Sequence, residues 1–221
     1  MKVVFRTLLA ALVLAVAAVP AAAQTETLKF TNAGSTTWNG VYVGPYQAKV
    51  LSEPGQPTID VFCVDYQHHV SMNQVWDATF SNVMGDLGNT RAGLTYGQAA
   101  AREMYQQAAF LTTMYASNPA NTAAINSAIW NIFNSASPDK SGTGVTSSAY
   151  WATYAANNYA TAGLDYHTFA VVTDVNFRQG GTQEFLTNVT ATPEPSTYLL
   201  MASGLAGLAG VGYRRRRSRQ G

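Results

Sequence analysis

The chain has 221 residues, 47% of them hydrophobic and 11% charged, and its 13 Lys and Arg almost balance its 12 Asp and Glu. The balance is uneven along the chain: residues 24–191 hold six basic and eleven acidic side chains, a formal charge of −5, and the basic excess lies at the two ends. A mildly acidic central region with no basic patch excludes nucleic acid as a partner, and about 170 residues between the ends is the length of one domain.

The opening residues carry Lys2 and Arg6, then an uncharged run over 7–19, then Pro20-Ala21-Ala22-Ala23. A charged start, an apolar middle and a small-residue ending predict a secretory signal peptide over 1–23, cut between Ala23 and Gln24. The body, 24–191, is therefore expected outside the cytoplasm. Cys63 is the single cysteine, so in an exported chain it cannot form an intramolecular disulfide. It is buried and inert, paired between chains, or chemically used.

Strand signals come first in the body. The stretch 40–50 is rich in β-branched and aromatic residues, with Pro45 marking an edge or bulge. Turn residues Pro54, Gly55 and Pro57 precede a second strand over 58–66 that contains Cys63, and 75–83 alternates as a third. A Gly- and Asn-rich loop over 85–93 ends the strands. Thr95 is then read as the cap of a helix over 96–116, and Asn118 with Pro119 as the opening of another through Asn134. In that second helix Ile125, Ala128, Ile129 and Ile132 form an apolar stripe that Trp130 and Phe133 broaden. A third helix is expected over 147–159. Strands over 168–177 and 183–190, joined at Gly180-Gly181, read as a hairpin. The order predicts an α+β domain: a mainly antiparallel sheet with a central helical insertion.

The last thirty residues, 192–221, have three parts in sequence: Pro193-Glu194-Pro195, an uncharged apolar run from Tyr198 to Tyr213, and Arg214, Arg215, Arg216 and Arg217. As a helix the run would span roughly 24 Å at ~1.5 Å per residue, a short but sufficient crossing of the bilayer when flanking residues adjust. The arginines follow at once, as the positive-inside rule expects of a cytoplasmic flank. These parts predict a single C-terminal transmembrane helix. At these residues the chain resembles the PEP-CTERM family of bacterial sorting signals. The resemblance implies handling by an exosortase, a membrane enzyme that cuts near the Pro-Glu-Pro and passes the body to the cell surface or the extracellular polysaccharide matrix.

Two stretches of the body stand out for chemistry: Phe62-Cys63-Val64-Asp65 on a strand, and Ile125-Asn126-Ser127-Ala128-Ile129-Trp130 on a helix. The pair resembles the bacterial Cys-Gln thioester domains, surface adhesin modules in which a cysteine sulfur is joined to a glutamine side-chain carbonyl and can capture an amine. On that resemblance Cys63 matches the cysteine, Asp65 the acid, and Ala128, Ile129 and Trp130 the end of the helix motif. The glutamine position holds Asn126, one methylene shorter. Either the Cys63 and Asn126 pair forms the bond, or the scaffold is kept without it.

Other chemistries find little support. His68 and His69 are adjacent, so on a strand they point to opposite faces and cannot chelate one metal together. His167 beside Asp165 is an acid-base pair or a solvated loop. No phosphate-binding loop, dinucleotide fingerprint or Gly-x-Ser-x-Gly elbow occurs, so no cofactor is expected. Trp38, Tyr42, Tyr46, Trp76, Trp151 and Tyr154 are a carbohydrate-stacking set or core packing. The reading is a non-enzymatic surface or matrix protein, structural or adhesive, with exosortase, membrane, and polysaccharide or surface proteins as partners. Its alternatives are a covalent adhesin acting through Cys63 and a secreted hydrolase pairing Cys63 with His68.

Overall fold

The computed structural model describes residues 25–189 and 204. The expected signal peptide, Pro193-Glu194-Pro195, the arginine cluster and, apart from Gly204, the expected transmembrane helix lie outside the described residues. Among the described residues no helix is long and apolar enough to cross a membrane.

Alternation starts earlier than expected, in β1 (Thr25–Asn32), where Glu26, Leu28 and Phe30 are buried between more exposed neighbours. The expected strand over 40–50 is two elements. Val41 and Tyr42 form β3 (Val41–Tyr42), which pairs only with β2 (Thr37–Trp38), and the chain then turns at Gly44 into β4 (Pro45–Val50). β5 (Thr58–Cys63) ends at Cys63, short of Tyr66, and β6 (Val75–Asn82) follows. After the helices come β7 (Phe169–Asp174) and β8 (Phe185–Asn188). Six strands close into a barrel in the order β1-β4-β5-β8-β7-β6, with β1 paired antiparallel to both β4 and β6. The expected antiparallel sheet is thus a closed ring.

The helical insertion lies between β6 and β7, as the change of period predicts. The single helix expected over 96–116 is broken in two: α1 (Arg91–Tyr96) and α2 (Gln98–Thr112) meet at Gly97, whose φ of 82° no helical residue shares. Thr90, and not Thr95, caps the first of them, its side chain accepting from the Gly93 N–H. A 3-10 turn over Pro119–Asn121 leads into α3 (Thr122–Phe133), so Pro119 sits in the first turn as expected, although Asn118 makes no side-chain cap bond. In α4 (Ser148–Asn158), Ser147 accepts from the Tyr150 N–H.

Two cores result. One fills the barrel with Leu28, Tyr46, Val61, Trp76, Val172 and Phe185, and α3 contributes Trp130 to it. The other joins the outer face of the barrel to the helices through Val64, Tyr105, Ile125, Ile129, Phe169 and Val171. β7 serves both, Val171 facing the helices and Val172 the barrel, so all six of its residues are buried and its first four, Phe169 to Val172, are apolar.

Candidate functional site

The strand and helix singled out by sequence meet. Ala123, Asn126 and Trp130 fall at helical spacing on one face of α3, and that face turns to the barrel: Ala123 packs on the barrel core and Trp130 belongs to it. Cys63, the last residue of β5, points into the same core, with Phe185 of β8 as its register partner. The Trp130 indole N–H donates to Cys63 Sγ at 3.4 Å, and the thiol donates to the Asp65 carbonyl oxygen at 3.2 Å. Burial, the largest cause, pushes the Cys63 thiol up to about 12, so it is protonated at neutral pH.

One turn before Trp130, Asn126 is fully buried. Its Oδ1 accepts from the Gly44 backbone N–H at 2.8 Å and from the Tyr115 hydroxyl at 3.0 Å, which fixes the orientation of the amide. Nδ2 is left buried without a partner among the described residues. The Tyr115 ring is stacked on Phe62, and burial, with Tyr46 and Cys63 close by, raises its hydroxyl well above the ordinary tyrosine value. No hydrogen bond joins Cys63 to Asn126; they share the Tyr115 and Trp130 surroundings. Gly44 makes this close approach feasible: its φ is 112°, and a Cβ there would stand 2.9 Å from Thr122 Cγ2.

Asp65 lies just beyond Cys63 in an ionic cluster that sequence reading did not assemble. Its Oδ2 is 2.7 Å from His68 Nδ1 and 3.0 Å from Arg91 Nε, the latter an ion pair whose N–H is not aimed at the oxygen. Arg91 Nη1 faces His68 Nε2 at 3.3 Å, so Nε2 accepts and Nδ1 carries the proton given to Asp65. Arg91 also donates to the carbonyl oxygens of Phe177, Gly180 and Thr182, tying the β7–β8 connection to α1. Beneath it, fully buried Glu184 accepts from the Arg91 backbone N–H at 2.9 Å, the Tyr105 hydroxyl at 2.5 Å and Thr173 at 2.7 Å. Burial nevertheless raises its carboxyl above the usual range, the hydrogen bonds opposing it. His68 makes no hydrogen bond to Cys63.

Residues 191–217 match the PEP-CTERM protein-sorting motif. No curated protein and no solved structure matches the chain. The PEP-CTERM match covers Pro193-Glu194-Pro195, the apolar run and Arg214–Arg217. A PEP-CTERM tail marks an exported protein handled at the membrane, with an exosortase as its processing partner.

The remaining sequence-derived candidates take ordinary places. Asp165 accepts from the His167 backbone N–H at 3.0 Å and caps a 3-10 turn, which makes that pair a cap and not an acid-base couple. Among the described residues no group of His, Cys, Asp and Glu side chains is placed to hold a metal ion. Tyr46, Trp76 and Trp151 are core residues, Trp38 stacks on Trp130, and Tyr42 is half exposed. Gly44, Tyr115, Arg91 and Glu184 were not singled out by sequence. Arg91 had a signal, as one of only six basic residues in the body.

Proposed function

We propose that this chain is a bacterial protein which an exosortase delivers to the cell surface or extracellular matrix, where its body acts as a non-enzymatic adhesive or structural module on a thioester-domain-like scaffold. The tail match supports the delivery. For the body, the carrying observation is that Cys63 and Asn126 are both built into the buried hydrogen-bonding of the core. A protonated thiol that already donates to Asp65 and accepts from Trp130 is a poor nucleophile. The hydrolase alternative has less support, because His68 spends both ring nitrogens on Asp65 and Arg91 and has no lone pair for Cys63.

A covalent adhesin is the second reading, and one observation favours it. Two donors converge on Asn126 Oδ1 while Nδ2 has no acceptor among the described residues, the arrangement that polarises an amide carbonyl toward attack. Attack of Cys63 Sγ on Asn126 Cγ would form the C–S bond and break the C–N bond, with the thiol proton leaving on the nitrogen as ammonia. The shorter Asn side chain opposes this, because a packed interior resists the shift needed to close the gap. Intact mass of the purified protein, with a thiol label and a small amine, decides between the two. The expected result is full mass, no amine adduct, and a Cys63 that labels only on unfolding. A mass lower by one ammonia, with an amine adduct that frees the thiol, would replace the first reading by the second.

A further inference from the structure

Two cavities adjoin at the segment that follows Cys63. One, of about 360 Å³, lies on the α1 side, and the other, of about 350 Å³, on the β2–β3 side. Asp65, Tyr66, His68 and Trp130 line both, so these four residues form a common wall. Each cavity also has an exposed aromatic residue among its lining: Tyr96, 50% exposed, in the first and Tyr42, 51% exposed, in the second. A hydrogen bond holds the Tyr96 ring, and another holds the backbone that carries Tyr42. The Tyr96 hydroxyl donates to the Phe133 carbonyl at 2.9 Å, and the carbonyl of Tyr42 accepts from the Tyr46 hydroxyl.

We propose that the two cavities are adjoining subsites for an uncharged glycan chain, with Tyr42 and Tyr96 as its aromatic platforms and the Tyr66–Trp130 wall between them. The charge of the wall selects the class. Asp65 is paired with Arg91 and His68, and Glu184 is occupied by three donors, so no carboxylate or guanidinium is free to meet an ionic ligand. What the cavities offer instead is aromatic surface with the uncharged amides of Gln67 on one side and Gln183 on the other. Apolar faces with a few fixed polar groups are the complement of a pyranose, which has C–H faces and a hydroxyl rim. Apart from the exposed His69 of the second cavity, an acidic polymer would have to break an internal ion pair to find a partner. Tyr66, whose ring lies 4.9 Å from that of Trp130, closes the gap between the platforms.

The inference rests on the adhesive reading of the body and is tested separately from it. The full chain, purified in detergent, is titrated with neutral gluco-, manno- and N-acetylglucosamine oligosaccharides of one to six sugars and with acidic uronate oligomers, by calorimetry and tryptophan fluorescence. A neutral hexasaccharide is expected to bind more tightly than the disaccharide. Tyr42→Ala and Tyr96→Ala are each expected to weaken the hexasaccharide at least about tenfold, the scale of losing one aromatic anchor, while Tyr150→Ala, at an exposed aromatic of α4 outside both cavities, leaves binding intact. Far-UV circular dichroism confirms that the half-exposed substitutions leave the fold in place. Absence of binding to every neutral oligosaccharide at millimolar concentration overturns the proposal, as does binding of the acidic oligomers alone. An effect of only one of the two alanine variants also overturns it, since that would be a single site. Matrix attachment in cells without neutral-glycan binding would sink this inference and leave the adhesive reading standing; glycan binding by a protein that stays in the cytoplasm would sink the sorting reading alone.

Discussion

Gly44→Ala puts the junction between barrel and helix to a quantitative test. At φ 112° an alanine is strained, a cost of about 1–3 kcal/mol. The new Cβ would also meet Thr122 Cγ2 at 2.9 Å, and overpacking of this kind costs about 1–3 kcal/mol. Together the loss is expected at roughly 2–6 kcal/mol, a large share of the ~5–15 kcal/mol that holds a domain folded. Urea unfolding followed by tryptophan fluorescence would read it as a midpoint lowered by about 1–3 M, given a slope of about 2 kcal/mol per M. The two costs can be separated. Thr122→Ser removes the methyl group but keeps the hydroxyl that donates to the Pro119 carbonyl, so in that background Gly44→Ala should recover about 1–2 kcal/mol while the φ cost remains. A loss below about 1 kcal/mol, or the same loss in both backgrounds, would refute the account of Gly44 as a point of close approach between the Cys63 barrel and the Asn126 helix.

Two further outcomes are expected. Because burial raises the Glu184 carboxyl above its ordinary value of 4.5, the folded state holds this proton more tightly than the unfolded chain. Stability from this group is therefore fullest below about pH 4.5 and falls as pH rises toward the folded value. Glu184→Gln keeps an acceptor for Arg91 and Thr173 and cannot titrate, so stability curves of the two proteins measured from pH 4 to 8 should diverge with that sign; parallel curves would contradict it. For the tail, replacing Pro193-Glu194-Pro195 with alanines should keep the protein in the membrane fraction, and unchanged release into the medium would count against exosortase handling.

The helical insertion was legible because α3 and α4 carry their own signals: an apolar stripe at 125, 128, 129 and 132 in one, a serine cap in the other. β1 was missed for an identifiable reason. Its inward positions are Glu26, Leu28 and Phe30, and a carboxylate at the first of them hides the alternation; Glu26 is tolerated there because Ser52 Oγ donates to it. Gly97 was read as a helix interior residue, although its left-handed backbone is what ends α1. The site divides along the same line. Cys63, Asp65, Asn126 and Trp130 could be found because they sit in two short recognisable stretches. Gly44 and Tyr115, which hold the Asn126 carbonyl, come from other elements and are joined to it only by folding. Arg91 likewise gathers Asp65, His68 and the 177–182 turn from three separate parts of the chain.

The ring of strands also sets an order of events for a chain that leaves the cell through a membrane. β1 emerges early but is flanked by β4 and β6, and the seam between β5 and β8 joins residues 61–63 to 185–187. Nearly the whole body must therefore be present before the ring can close. β8 ends at Asn188 and the sorting match begins at residue 191, so only residues 189 and 190 separate the closing strand from the sorting motif. Until β8 is in place, β5 and β7 keep open edges. Once closed, the ring has no edge left to offer, and among the described strands open edges remain on the two-stranded β2–β3 sheet. Contacts between the closed ring and other molecules then fall to side chains and loops and not to strand pairing.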